Sequence, residues 1–68
     1  MNEETLNMSI RKFLKSVGVQ SQREIEQAVS GAVTAGRLKG HEKLAAKVTL
    51  TIESLGVTRT IDGTIELE

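Results

Sequence analysis

His41 is the only histidine in the 68 residues, and cysteine is absent. A histidine acting as general base needs an orienting partner and a nucleophile within reach. His41 stands between Gly40 and Glu42 in a polar stretch, and that setting reads as a solvated loop. Within the expected helices, carboxylates come close together as Glu3–Glu4 and as Glu24 with Glu26. Both pairs fall in first turns of expected helices, where acid complements the helix dipole and supports capping. One histidine and scattered carboxylates do not make a structural zinc site. No glycine-rich loop with phosphate-binding spacing follows a strand. These residues therefore point to a non-enzymatic protein with no metal and no cofactor.

The remaining polar candidates are surfaces. Arg11, Lys12 and Lys15 make a basic stretch, and Arg37, Lys39, Lys43 and Lys47 make a second. Asp62, Glu66 and Glu68 make the C-terminal end acidic. Nine Lys+Arg balance nine Asp+Glu, so the formal net charge is zero. Strong non-specific attraction to nucleic acid or anionic lipid is not expected from that balance. Phe13 is the one aromatic residue, which leaves no platform for base stacking. Met8 departs from the apolar pattern around it, as an adaptable contact would. Met8, Arg11, Lys12, Lys15 and Arg59 are the candidate interaction surface. The start, Met1-Asn2-Glu3-Glu4, is acidic, unlike a signal peptide, and no apolar run reaches membrane-spanning length. The expected location is the cytoplasm.

The elements that must position these residues follow from periodicity. Leu6, Ile10, Phe13, Leu14 and Val17 share one helical face, which predicts a helix over 3–17 with Asn2 as N-cap. Gly18 offers a left-handed stop. Ser21-Gln22-Arg23-Glu24 matches a capping box. It opens a predicted second helix over 22–36, with Ile25, Ala28, Val29, Ala32 and Val33 on its apolar stripe. Gly36 and Gly40 then bracket Arg37-Leu38-Lys39.

Residues 43–66 alternate as a β-hairpin turning at Glu53-Ser54-Leu55-Gly56. Its register pairs Ile52 with Val57, Val48 with Ile61 and Leu44 with Ile65 on one face. The other face then pairs Thr51 with Thr58, Thr49 with Thr60, Lys47 with Asp62 and Lys43 with Glu66. A shift by one residue would move the apolar set to the wrong face. Arg59 falls on the apolar face opposite Leu50.

Two helices followed by a hairpin also describe a winged helix-turn-helix, with Gln22, Arg23 and Gln27 facing DNA. Leu14 is bulky where the tight helix crossing wants a small residue. Glu24 and Glu26 are poor neighbours for phosphate. DNA binding is accordingly the second reading. The stretch Thr5-Leu6-Asn7-Met8-Ser9-Ile10-Arg11-Lys12-Phe13-Leu14-Lys15, with Gly18-Val19 and Ser21-Gln22-Arg23-Glu24-Ile25-Glu26, resembles a family of short bacterial proteins of unknown function. Gly36-Arg37-Leu38-Lys39-Gly40 and the threonine-rich hairpin extend the resemblance over nearly the whole chain. It implies a bacterial, self-contained protein and carries no site residues with it.

The expected fold is a single α+β domain over 1–68, two helices packed on an antiparallel hairpin in the order α-α-β-β. Ile10, Phe13, Val17, Ile25, Val29, Val48, Leu50 and Ile61 are the expected core. The expected role is a small interaction or assembly module with an unknown protein partner. A homodimer is expected because a lone hairpin leaves two unpaired edges. It would meet through a strand edge, with the second strand favoured, or through the small residues of the second helix.

Overall fold

The computed structural model describes all 68 residues, which form one helix and one hairpin. Helix α1 spans Glu3–Thr34, strand β1 spans Lys43–Ile52 and strand β2 spans Val57–Glu66. The expectation of two helices, over 3–17 and 22–36, is therefore corrected to a single helix of 32 residues. The fold remains α+β, in the order α-β-β.

The helix runs on because nothing at its middle is strong enough to stop it. A helical glycine costs roughly 1 kcal/mol relative to alanine, and only proline costs about 3. The chain has no proline. Gly18 keeps a helical conformation; positive φ occurs at Gly36, Gly40 and Gly56 instead. The apolar stripe also crosses Gly18 without a change of phase. Val17, Ser21 and Ile25 follow at i, i+4 and i+8, so one face serves both halves. Ser21 is a half-buried helical residue on that stripe and caps nothing. The side chain of Gln20 donates to Ser16 Oγ at 2.9 Å across the expected break.

The outer ends of α1 follow their local chemistry. Asn2 is extended and its Oδ1 accepts from the Thr5 N–H at 3.1 Å, as an N-cap should. Glu3 and Glu4 occupy the first turn. At the other end Gly36 takes φ 80°. The Arg37 N–H donates to the Ala32 carbonyl at 2.9 Å, and the Gly36 N–H to the Val33 carbonyl at 3.0 Å. That bond pair is the Schellman closure, and it needs the left-handed residue that glycine supplies.

The hairpin has the predicted register throughout. Lys43 faces Glu66, Leu44 faces Ile65, Lys47 faces Asp62, Val48 faces Ile61, Thr49 faces Thr60, Leu50 faces Arg59, Thr51 faces Thr58 and Ile52 faces Val57. A short 3₁₀ turn, Glu53–Leu55, joins the strands and ends on Gly56 at φ 63°. Of the two opposite-charge pairs, Lys43 and Glu66 close to 3.7 Å, both exposed.

The chain divides into two units, Met1–Arg37 and Leu38–Glu68. No residue of either is buried, which corrects the expected core. Val17, Val29 and Leu50 are half-buried, whereas Phe13 is 56 % exposed and Ile61 59 %. A helix and a two-stranded hairpin each carry an apolar face, and neither contains within itself the second layer that would cover it.

Candidate interaction surfaces

The helix carries the first surface. Its stripe repeats at eleven residues: Leu6, Val17 and Ala28; Ile10, Ser21 and Ala32; Leu14 and Ile25. Eleven residues in three turns is about 3.67 per turn, close enough to the natural helix to hold the stripe on one side along its length. Leu6, Ile10, Phe13, Leu14 and Val17 lie in its first half, and Ile25, Ala28, Val29, Ala32 and Val33, with Gly31 beside them, in its second. A Cβ added at Gly18 or Gly31 would meet nothing within 4 Å.

The candidate residues Met8, Arg11, Lys12 and Lys15 all lie on α1 and are exposed, Met8 at 72 %. Arg59 sits on the hairpin, opposite Leu50 on its apolar face. The first four thus share one element, and Arg59 belongs to the other unit. Gln22, Arg23 and Gln27 are interior residues of the same continuous helix. They do not open a second helix, so the helix-turn-helix arrangement that would aim them at a groove is not formed.

The hairpin carries the second surface. Leu44, Ala46, Val48, Leu50 and Ile52 on β1 face Ile65, Gly63, Ile61, Arg59 and Val57 on β2. Each strand has its other edge free of any third strand, in a two-stranded sheet.

The loop before β1 holds a feature that residue types alone did not reveal. The Glu42 carboxylate accepts three backbone N–H groups, from Lys39 at 2.8 Å, Gly40 at 2.9 Å and His41 at 3.1 Å. These bonds, led by that from Lys39, hold its pKa down to about 2 against the opposing effect of desolvation. The Glu42 carbonyl also accepts from the Leu67 N–H at 3.2 Å, which ties the loop to the end of the hairpin. His41 takes part through its backbone. The available signal was a glutamate two residues after Gly40, whose φ of 103° folds the loop back over the carboxylate.

A capped amphipathic helix followed by a tight antiparallel hairpin defines a small α+β protein. The chain belongs to a family of unknown function, DUF6494, whose model matches residues 1–68. No curated protein and no solved structure matches it. No helix is long and apolar enough to cross a membrane.

Proposed function

We propose that this protein is a small, non-enzymatic interaction module that completes its hydrophobic core by self-association, as a homodimer in the bacterial cytoplasm. The observation that carries the reading is the exposed apolar stripe of α1 in a chain without a buried residue. Sustained apolar surface of this kind marks an association site in a stable protein. The exposed faces of the hairpin supply further surface for a protein partner. The one strongly tuned carboxylate, Glu42, is consumed by backbone N–H groups and serves the loop. Balanced charge and a cysteine-free sequence suit a cytoplasmic protein.

Multi-angle light scattering of the full chain over micromolar concentrations tests the reading. A mass near twice 7.4 kDa is expected. A monomer mass that persists while the chain unfolds cooperatively would overturn it.

A further inference from the structure

We infer that the protein pairs with a second copy of itself through the free edge of β2, antiparallel about a two-fold axis at Ile61, so that two hairpins become one four-stranded sheet. The inference rests on the self-association reading and adds a second contact surface, its orientation and its register.

The phase of the hydrogen-bond ladder is the first argument. Opposite residues of an antiparallel pair alternate between those that exchange N–H···O bonds and those that direct the same groups outward. The Leu67 N–H donates to the Glu42 carbonyl, and that pair continues the register of the hairpin. Every second residue back from there, Ile65, Gly63, Ile61, Arg59 and Val57, turns its backbone groups to β1. Thr58, Thr60, Asp62 and Thr64 therefore turn theirs to the free edge, where there is no third strand. A second β2 can use those groups only in registers that set even-numbered residues opposite even-numbered ones. Two such registers overlap nearly the whole strand. One sets Asp62 directly against Asp62 of the second copy, and like charges so placed repel. The other sets Ile61 against Ile61, Val57 against Ile65, Thr60 against Asp62 and Thr58 against Thr64. It keeps the apolar residues on one face and the threonines on the other. A two-fold axis generates it from a single surface.

Gly63 and Arg59 are the second argument, and it is independent of the first. Gly63 faces Ala46 in an unbroken register, so it marks no bulge. Its φ is not positive, and an added Cβ would meet nothing within 4 Å. Nothing in the single chain calls for this glycine, which weakens a strand; glycine so placed often marks the close approach of another backbone. Arg59 is the one charged residue on the apolar face of the hairpin. In the favoured register each Arg59 falls opposite Gly63 of the other copy. Their Cα atoms would be about 4.5 Å apart, the spacing at which opposite side chains crowd. The arginine stem fills the gap that the glycine leaves and runs on over Ala46, the next residue in that row. In the competing register Arg59 would meet Ile65, and Gly63 would meet Ile61. Strand β1 has no counterpart: its residues on this face are all apolar, and its free edge carries Lys43 and Lys47, charges that guard an edge.

The absence of cysteine makes the register directly measurable. Thr58→Cys and Thr64→Cys, both on the polar face, are made in separate full-length chains, one with a mass tag, mixed, and oxidised mildly. The expected product is the mixed disulfide between the two variants, in large excess over either self-linked species, because like positions would lie about 20 Å apart at about 3.4 Å per residue. A statistical mixture, or an excess of self-linked products, overturns the inference. A dimer mass with no disulfide of either kind also overturns it, leaving the contact to α1 and self-association intact. A monomer mass for the unmodified chain overturns both readings. Gly63→Val gives a second readout. The open site of a lone hairpin accepts valine, whereas in the pair it crowds Arg59 at two places. Kd should rise about tenfold or more while the strand signal in circular dichroism is kept; an unchanged Kd overturns the register.

Discussion

Replacing Phe13 by alanine tests whether the apolar stripe of α1 carries the proposed self-association. Phe13 is 56 % exposed in the single chain. A phenylalanine presents on the order of 200 Å², so about 110 Å² remains for a partner to cover. At roughly 25 cal/mol per Å² this is worth about 3 kcal/mol for each ring. A two-fold dimer covers two rings, so Phe13→Ala should cost up to about 6 kcal/mol of association, or about four decades in Kd. Alanine is the better helix former by roughly half a kcal/mol, so the helix itself is not weakened by the change. Sedimentation equilibrium of both proteins gives the two constants, and far-UV circular dichroism at matched concentrations reports the helix. Association should weaken by at least two decades in Kd. A Kd altered by less than about tenfold, or about 1.4 kcal/mol, refutes the placement of Phe13 in the contact.

The other predictions concern local structure. Gly18→Ala should raise the midpoint of unfolding by the equivalent of roughly 1 kcal/mol, because the site is helical and open; a lowered midpoint would restore the left-handed turn between two helices. Gly56→Ala should destabilise the hairpin by about 1–2 kcal/mol, because the residue at φ 63° would become left-handed alanine, and Gly56→Asn should recover part of the loss in a denaturant titration. The depressed pKa of Glu42 means that its contribution is fully present above its ordinary value of 4.5 and is lost as pH falls toward about 2. Carboxyl chemical shifts followed by NMR should show Glu42 titrating near pH 2, and Glu42→Gln should flatten that part of the acid profile; a midpoint near 4.5 would show that the three N–H bonds do not persist in solution.

The hairpin was legible because several constraints agreed. A two-residue period, a turn glycine, four threonines and two opposite-charge pairs all demand one register, and a slip would break them together. The helix ends were legible at Asn2 and Gly36 for the same reason: cap chemistry coincided with the limits of the apolar pattern. The middle of the helix was misread because local signals were weighed above phase. Gly18 and the Ser21–Glu24 box each favour a break, yet their preferences amount to about 1 kcal/mol apiece. The eleven-residue repeat from Leu6 to Ala28 demands continuity over the whole length. The core was misjudged as a consequence, since a stripe divided between two helices can cover itself and a stripe on one straight helix cannot. The Glu42 loop was beyond residue typing, because its partners are backbone N–H groups that converge only once Gly40 has turned.

On the proposed reading, a continuous helix makes association a condition of stability. Most helical stability in proteins comes from packing an apolar face, and propensity alone leaves a helix marginal in water. The interior of α1 holds Val17, Gly18, Val19, Ile25, Val29, Gly31 and Val33, all weaker helix formers than alanine or leucine. They are poor choices for a helix that must stand on propensity, and suitable ones for a helix whose face is covered. An isolated two-stranded hairpin is marginal for a similar reason. Folding and pairing should then be one equilibrium. For a dimer that unfolds to two chains, each tenfold rise in protein concentration adds about 1.4 kcal/mol of apparent stability per dimer. The unfolding midpoint should therefore climb with concentration, with helix and hairpin signals moving together if one contact stabilises both. A midpoint independent of concentration would mean that the single chain covers its own stripe.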